Sequence, residues 1–187
     1  MHSYPEQMLH YLPNGQALTV RQPRMQDAEA LLSCFQQLVL ETDLLLSSPL
    51  EAGGLSLLHE EKYLLNYVDV PQNLMLLAII GQEIIGAVTL TQRVYQKQQH
   101  IGDIGIAIRK NYQNMGIGRR LLTAMFRWVE HHPLLEQIYC EVMVQNERAI
   151  HLYQHFGFEI CGKLADAIKQ DDGTYADLYM MNKKLNA

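Results

Sequence analysis

Between Ile104 and Arg120 the chain reads IGIAIRKNYQNMGIGRR, followed by the amphipathic run LLTAMFRWVEHH. The chemistry this stretch can perform is anion binding. An apolar strand that feeds a glycine-punctuated turn into a helix leaves the first helical amides without carbonyl partners. The helix dipole adds roughly half an elementary charge of positive potential at the same end. A side chain at Gly116 or Gly118 would keep a phosphate off that backbone, and Arg119 and Arg120 add mobile positive charge beside it. The spacing excludes two common phosphate loops. Leu121 stands where a dinucleotide fingerprint needs a third glycine or alanine, and no Gly-Lys-Ser/Thr follows as a mononucleotide P-loop requires. What remains is Gln113-Asn114-Met115-Gly116-Ile117-Gly118, or Q-x-x-G-x-G.

Other reactive residue types point to less. His151 and His155 have the i, i+4 spacing of a helical metal pair, but no Glu follows His151 and no third ligand is evident, so no metal is expected. Cys34, Cys140 and Cys161 are odd in number and set among apolar neighbours, the pattern of buried reduced thiols in a cytoplasmic protein. A net charge of −5 with no Lys/Arg-rich run gives no support for nucleic-acid binding. The stretch MHSYPEQMLHY has neither the basic nor the apolar region of a signal peptide, and no apolar span approaches membrane length.

The elements that must position the loop follow from periodicity and punctuation. With 187 residues, 48% of them hydrophobic, one domain over 1–187 is expected, with residues 1–16 an N-terminal extension carrying the first strand of a hairpin around Asn14-Gly15. Asp27 is placed to cap a helix whose apolar face is Ala28, Leu31, Leu32, Phe35, Leu38 and Val39. Ser47-Ser48-Pro49 breaks that helix, Gly53-Gly54 marks a loop, and a second helix covers Ser56 to Tyr67. Strands are predicted at Leu74–Ile80, Glu83–Val94 and Ile101–Ile108, then the loop helix at about Met115–His131, stopped by Pro133. A strand at Gln137–Val144, a helix at Glu147–His155 and a strand pair at Phe158–Lys163 and Tyr175–Lys183 complete the order, an α/β arrangement with a mixed sheet.

A second segment, Asn146 to Glu159, reads NERAIHLYQHFGFE. Ala149, Leu152, Tyr153 and Phe156 share one helical face, Asn146 sits at the N-cap, and Gly157 suits a left-handed exit. N-x-x-A-x-x-L-Y-x-x-x-G-F following Q-x-x-G-x-G at this separation resembles the paired motifs of the GCN5-related N-acetyltransferase (GNAT) family, over about Ile101 to Phe158. The resemblance implies a mixed, mostly antiparallel sheet of six to seven strands flanked by about four helices, with the fourth and fifth strands of the family fold splayed apart. It implies acetyl-CoA as co-substrate and an amine as acceptor, while charge and hydropathy lead to no nucleic-acid or membrane partner being expected. It also allows a homodimer formed through the terminal strand, Tyr175 to Met181.

Residue by residue, the resemblance assigns the pantetheine arm to the backbone of Ile106, Ala107 and Ile108, and the pyrophosphate to the amides of Gln113, Asn114, Met115, Gly116, Ile117, Gly118 and Arg119. Strand alternation agrees, with Ile104, Ile106 and Ile108 facing the core and Asp103, Gly105 and Ala107 facing a thin ligand, unless a bulge shifts the register. Asn146 would bond the arm as well as cap its helix, and Tyr153, matching the position whose hydroxyl points at sulfur, is the candidate proton source for the departing thiolate. The amide of Ile106 is a candidate for the oxyanion. For the base, Asp103, Glu141, Glu41 and a water-mediated route all remain in play. Two functions fit these residues, an amine N-acetyltransferase and a catalytically silent acyl-CoA-binding sensor or partner module.

Overall fold

The structure, a computed structural model, describes residues 7–185. Residues 1–6 of the expected N-terminal extension lie outside them. Among the described residues, one eight-stranded sheet has the order β1-β2-β3-β4-β5-β6-β8-β7. Its strands are β1 (Gln7–Tyr11), β2 (Ala17–Arg21), β3 (Leu74–Ile80), β4 (Glu83–Gln92), β5 (Ile101–Ile108), β6 (Gln137–Met143), β7 (Glu159–Lys169) and β8 (Tyr175–Lys184). All neighbours run antiparallel except β5 and β6. Five α-helices cover the sheet, α1 (Ala28–Glu41), α2 (Pro49–Gly54), α3 (Leu57–Val68), α4 (Ile117–Val129) and α5 (Glu147–His155).

The strand count exceeds the expected six to seven because the N-terminal hairpin joins the main sheet, β2 pairing with β3 from Leu18↔Ile80 to Arg21↔Leu77. The extra helix is α2. Ser48 and Pro49 read as a break, yet they start a helix. Ser48 accepts from the amide of Glu51 while the Glu51 carboxylate accepts from the Ser48 amide, with Pro49 at the first helical position.

The continuous apolar run of β3 is buried on both faces. Leu74, Leu76 and Ala78 join α4 and α5 in one core, together with Ile104, Leu121, Met125 and Ile138. Met75, Leu77 and Ile79 join α1 and α3 in the other, with Leu31, Cys34, Leu38 and Leu64. The sheet therefore has a face built on α4/α5 and a face built on α1/α3.

Two expectations are corrected by this arrangement. The terminal strand β8 lies inside the sheet, paired to β6 on one side and β7 on the other. Tyr175 to Met181 thus offers no free edge for pairing with a second copy, and the sheet edges are β1 and β7. Cys161 is not buried like Cys34 and Cys140. It is exposed on edge strand β7, its thiol donating to the Met180 carbonyl at 3.3 Å.

Candidate active site

The loop ahead of α4 leaves its amides open. Asn114 and Gly116 adopt positive φ, 63° and 75°, and this left-handed kinking turns successive N–H groups outward. The first amide to return to the chain is that of Arg120, on the Gly116 carbonyl at 3.2 Å. Among the described residues, the amides of Asn114 to Arg119 have no acceptor in the chain. Gln113 differs from the expectation. Its own amide closes a 3₁₀ turn on Lys110, and its side chain donates to the Ile108 carbonyl at 2.8 Å. Gln113 therefore ties the loop to the end of β5 and leaves anion contact to the amides after it.

The two glycines have separate reasons, neither of them a phosphate held off by a side chain. Gly116 needs its positive φ, and a Cβ there would lie 2.7 Å from the Arg120 guanidinium. Gly118 faces inward. A Cβ on it would meet Leu152 of α5 at 3.0 Å and Ile108 of β5 at 3.4 Å, so glycine lets α4 settle onto both.

Arg120 does not point at the amide side. Its guanidinium donates to the carbonyls of Met115 at 3.3 Å, Gly116 at 3.1 Å and Tyr11 at 3.2 Å. It fixes the loop from its carbonyl face and ties it to the N-terminal hairpin. A second cavity of about 490 Å³ lies here, between Met8, His10 and Pro13 of the hairpin and Arg119, Thr123 and Arg127 of α4. Burial, then Arg120 and Arg127, hold the His10 imidazole below its ordinary pKa, so the positive charge of this pocket comes from arginine. Arg120→Ala is expected to raise KM for acetyl-CoA roughly tenfold with kcat within about twofold, because charged hydrogen bonds worth about 1.5–3 kcal/mol no longer hold the amides in place. Steady-state kinetics with varied acetyl-CoA checks this.

Behind the loop, β5 and β6 part. They pair only at Ile101↔Gln137, Gly102↔Ile138 and Asp103↔Tyr139. On the other side of β5 the register with β4 is unbroken from Gln92↔Gly102 to Gly86↔Ile108, with no bulge. The bonds Arg93 N–H to Ile101 O and Arg109 N–H to Ile85 O bracket that ladder. Antiparallel pairs alternate, so Asp103, Gly105 and Ala107 turn their backbone groups to β4, while Ile104, Ile106 and Ile108 turn theirs toward the gap. Of the three residues expected to pair a ligand through backbone, Ile106 has both groups facing the gap. Ile108 has its amide there, its carbonyl being held by Gln113. Ala107 has its backbone in the β4 ladder and contributes a small side chain to the wall instead.

A cavity of about 600 Å³ occupies the gap. Asn146, Ala149 and Tyr153 of α5 line one end, and α1 with the α1–α2 connection lines the other. Asn146 caps α5, its side chain accepting from Ala149 N–H at 3.2 Å. Tyr153 is 3% exposed, its ring 5.3 Å from Phe158 and its hydroxyl beside the Cys140 thiol. Burial, reinforced by that thiol, drives the phenol far above its ordinary pKa, and burial pushes Cys140 up to about 12. The phenol keeps its proton throughout the physiological range.

The three carboxylates separate. Asp103 lines the cavity, but both its oxygens are held by Arg93, at 2.9 Å from Nε and 2.8 Å from Nη2. Arg93 also lies 5.0 Å from the centroid of Tyr139. Glu141 lines the cavity from β6 and accepts from the Tyr139 hydroxyl at 2.9 Å through one oxygen, leaving the other without a partner among the described residues. Glu41 is not on the cavity wall. It accepts from Arg109 Nε at 3.0 Å and from the Lys110 amide at 2.7 Å, and Arg109 also holds Glu83 at 2.7 Å. Burial alone would raise the Glu41 carboxyl, but the Lys110 amide and Arg109 outweigh it and hold it below its ordinary value.

Glu41 thus clamps the end of α1 to the end of β5. Glu41→Gln is expected to cost about 1–2 kcal/mol, a Tm lower by about 2–8 °C at neutral pH. The sign follows from the depressed folded pKa. The contribution is complete above the unfolded value near 4.5 and is lost as pH falls through the folded one. The Tm gap between wild type and variant should therefore be constant from pH 6 to 8 and close in acid, as thermal melts across that range would show.

Sequence reasoning passed over Arg93 and Tyr139 and gave Arg120 to the anion side of the loop, while Leu44, Leu45 and Leu46, which form the far wall, belong to no motif. The family model described as acetyltransferase (GNAT) family matches residues 42–158. L-amino acid N-acetyltransferase AaaT of Escherichia coli (strain K12) is 28% identical over 113 residues, 60% of this chain and 69% of that one. The crystal structure of a GNAT-family acetyltransferase from Streptococcus pneumoniae superposes with a TM-score of 0.85 at 30% identity, covering 90% of this chain and 99% of that one. The fold is also that of yncA from Salmonella typhimurium, solved with its cofactor acetyl-CoA, with a TM-score of 0.80 at 16% identity over 91% and 95% of the two chains. With open amides at one end of a strand gap, a buried phenol inside it, and a family match that runs through both, the chain belongs to the GNAT family of acetyltransferases.

Proposed function

We propose that the chain transfers an acetyl group from acetyl-CoA to a primary amine, on a small molecule or a peptide α-amine, by direct attack in a ternary complex. The observation that carries this is the gap beyond Asp103↔Tyr139, into which Ile106 presents backbone and Tyr153 its phenol. The amides of Asn114 to Arg119 would hold the pyrophosphate, with the basic pocket at His10, Arg119 and Arg127 beside them. The pantetheine arm would pair with Ile106 and the Ile108 amide, and Asn146 would bond it from the helix side.

An alkylammonium with a pKa near 10 must lose a proton before its nitrogen can attack. Glu141, directly or through a water, is the base this arrangement favours, since Arg93 occupies both oxygens of Asp103 and Glu41 stands off the cavity. The amine nitrogen then bonds to the acetyl carbon, and the Ile106 amide donates to the carbonyl oxygen as it takes up charge. The carbon–sulfur bond breaks as the nitrogen, cationic after attack, sheds its second proton to solvent water at the open side of the cavity, and the departing thiolate receives a hydrogen bond from Tyr153. A thiol near 8.5 is a stronger acid than this phenol, so the donor stabilises the thiolate without giving up its proton. The three free cysteines, two of them buried, suit a cytoplasmic setting.

The test is thiol release from acetyl-CoA across polyamines, amino acids, aminoglycosides and peptides, with the acetylated amine identified by mass. If calorimetry detects CoA binding while no amine lifts thiol release above background hydrolysis, the protein is instead a silent acyl-CoA-binding module.

A further inference from the structure

The acceptor end of the cavity is apolar. Leu31, Phe35 and Leu38 of α1 and Leu44, Leu45 and Leu46 of the connection after it face the sheet across the gap. That connection is tied down at its far side. Gln170, in the turn between β7 and β8, donates to the Asp43 carbonyl at 3.3 Å and reaches Met143 Sδ at 3.8 Å. The wall is therefore held against the end of β6.

The charges that could receive an acceptor are few. Glu41, Asp43 and Glu51 place three carboxylates on or after α1, but each is engaged or turned elsewhere. Glu41 is bound to Arg109 and Lys110, Glu51 caps Ser48, and the exposed Asp43 does not line the cavity. Asp103 is neutralised by Arg93. Among the described residues, Glu141 is the lining carboxylate that keeps an oxygen without a protein partner. One ammonium can be matched there, and a second or third would enter an apolar pocket with its charge unpaired.

We propose, building on the acetyl-transfer reading above, that the acceptor is a monoamine with an apolar body, its single nitrogen at Glu141 and its aliphatic or aromatic portion against the leucine-lined wall. A free arylalkylamine and the α-amine of an apolar residue at a peptide N-terminus present the same chemistry.

The experiment compares kcat/KM for 2-phenylethylamine, leucinamide and a short peptide beginning with Leu against spermidine and kanamycin. The apolar monoamines are expected to exceed both polycations by at least about tenfold. The peptide's rank relative to leucinamide distinguishes the two sources of the group. Leu44→Glu, at a loop residue 36% exposed and therefore tolerant of charge, is expected to move the preference toward spermidine by roughly tenfold. Spermidine equal to or better than the monoamines in the wild type overturns the proposal. If no amine is acetylated, the transfer reading itself fails. Calorimetric binding of the same amines to the CoA-saturated protein then decides the acceptor class, tighter binding of the apolar monoamines upholding it and tighter binding of spermidine overturning it.

Discussion

Tyr153→Phe is expected to lower kcat by about a hundredfold while KM for acetyl-CoA stays within about twofold. The phenol is buried at 3% exposure on the α5 side of the strand gap, where a hydrogen bond to developing charge is little screened by water. Removing one such preorganised donor costs about 10²–10³ in kcat. The ring itself remains. Its contact with Phe158 and its place in the core are shared by phenylalanine, and the Cys140 sulfur beside the hydroxyl is a weak acceptor. Tm should therefore fall by no more than a few degrees, which separates a missing donor from a disturbed fold. The measurement is steady-state kinetics with acetyl-CoA and the best amine, alongside a thermal melt. Equal losses in kcat and in acetyl-CoA affinity would move Tyr153 from the departing sulfur to binding or packing.

Residues whose work is local were legible in the sequence, and residues whose partners come from afar were not. The Gly116 turn, the Asn146 cap and the apolar face of α5 are fixed by φ preference, capping chemistry and helical period, each contained within a few positions. Gly118 was recognisable as a necessary glycine, but its reason lies in Leu152 and Ile108, which only the packing of α4 brings near. The carboxylates show the limit most sharply. Asp103 looks like an available base until Arg93 is found across the β4–β5 ladder, and Glu41 until Arg109 arrives from 68 residues on. The leucine wall has no periodicity because it sits on a connection, and α2 was hidden because Ser48-Pro49 punctuates a helix start as readily as a break. The burial of β8 between β6 and β7 is a matter of strand order, on which its residue pattern is silent.

The assignment of the base makes the other large prediction. Glu141→Gln keeps the shape of the side chain and an acceptor for the Tyr139 hydroxyl while removing the proton-accepting charge. At pH 7 an amine with a pKa near 10 is about 0.1% neutral, so a route without an enzymatic base must draw on that small fraction. The variant is expected to lose about 10²–10³ in kcat/KM at pH 7, within the usual range for a positioned base. Its defect should then shrink with pH. Deprotonation in solution supplies about tenfold more neutral amine per pH unit below the amine pKa, whereas the wild type, served by its own carboxylate, gains far less over the same interval. A kcat/KM profile from pH 6 to 10 for both proteins tests this by slope as well as by size, and a structural disturbance would lower the whole curve without tilting it. Asp103→Asn is the control, because it releases Arg93 and alters the charge of the same wall. If Asp103→Asn reproduces the tilt and Glu141→Gln does not, the ion pair with Arg93 must open during turnover and the base lies on β5. If neither tilts the profile, the amine is deprotonated before it reaches either carboxylate, and the pocket selects the neutral form.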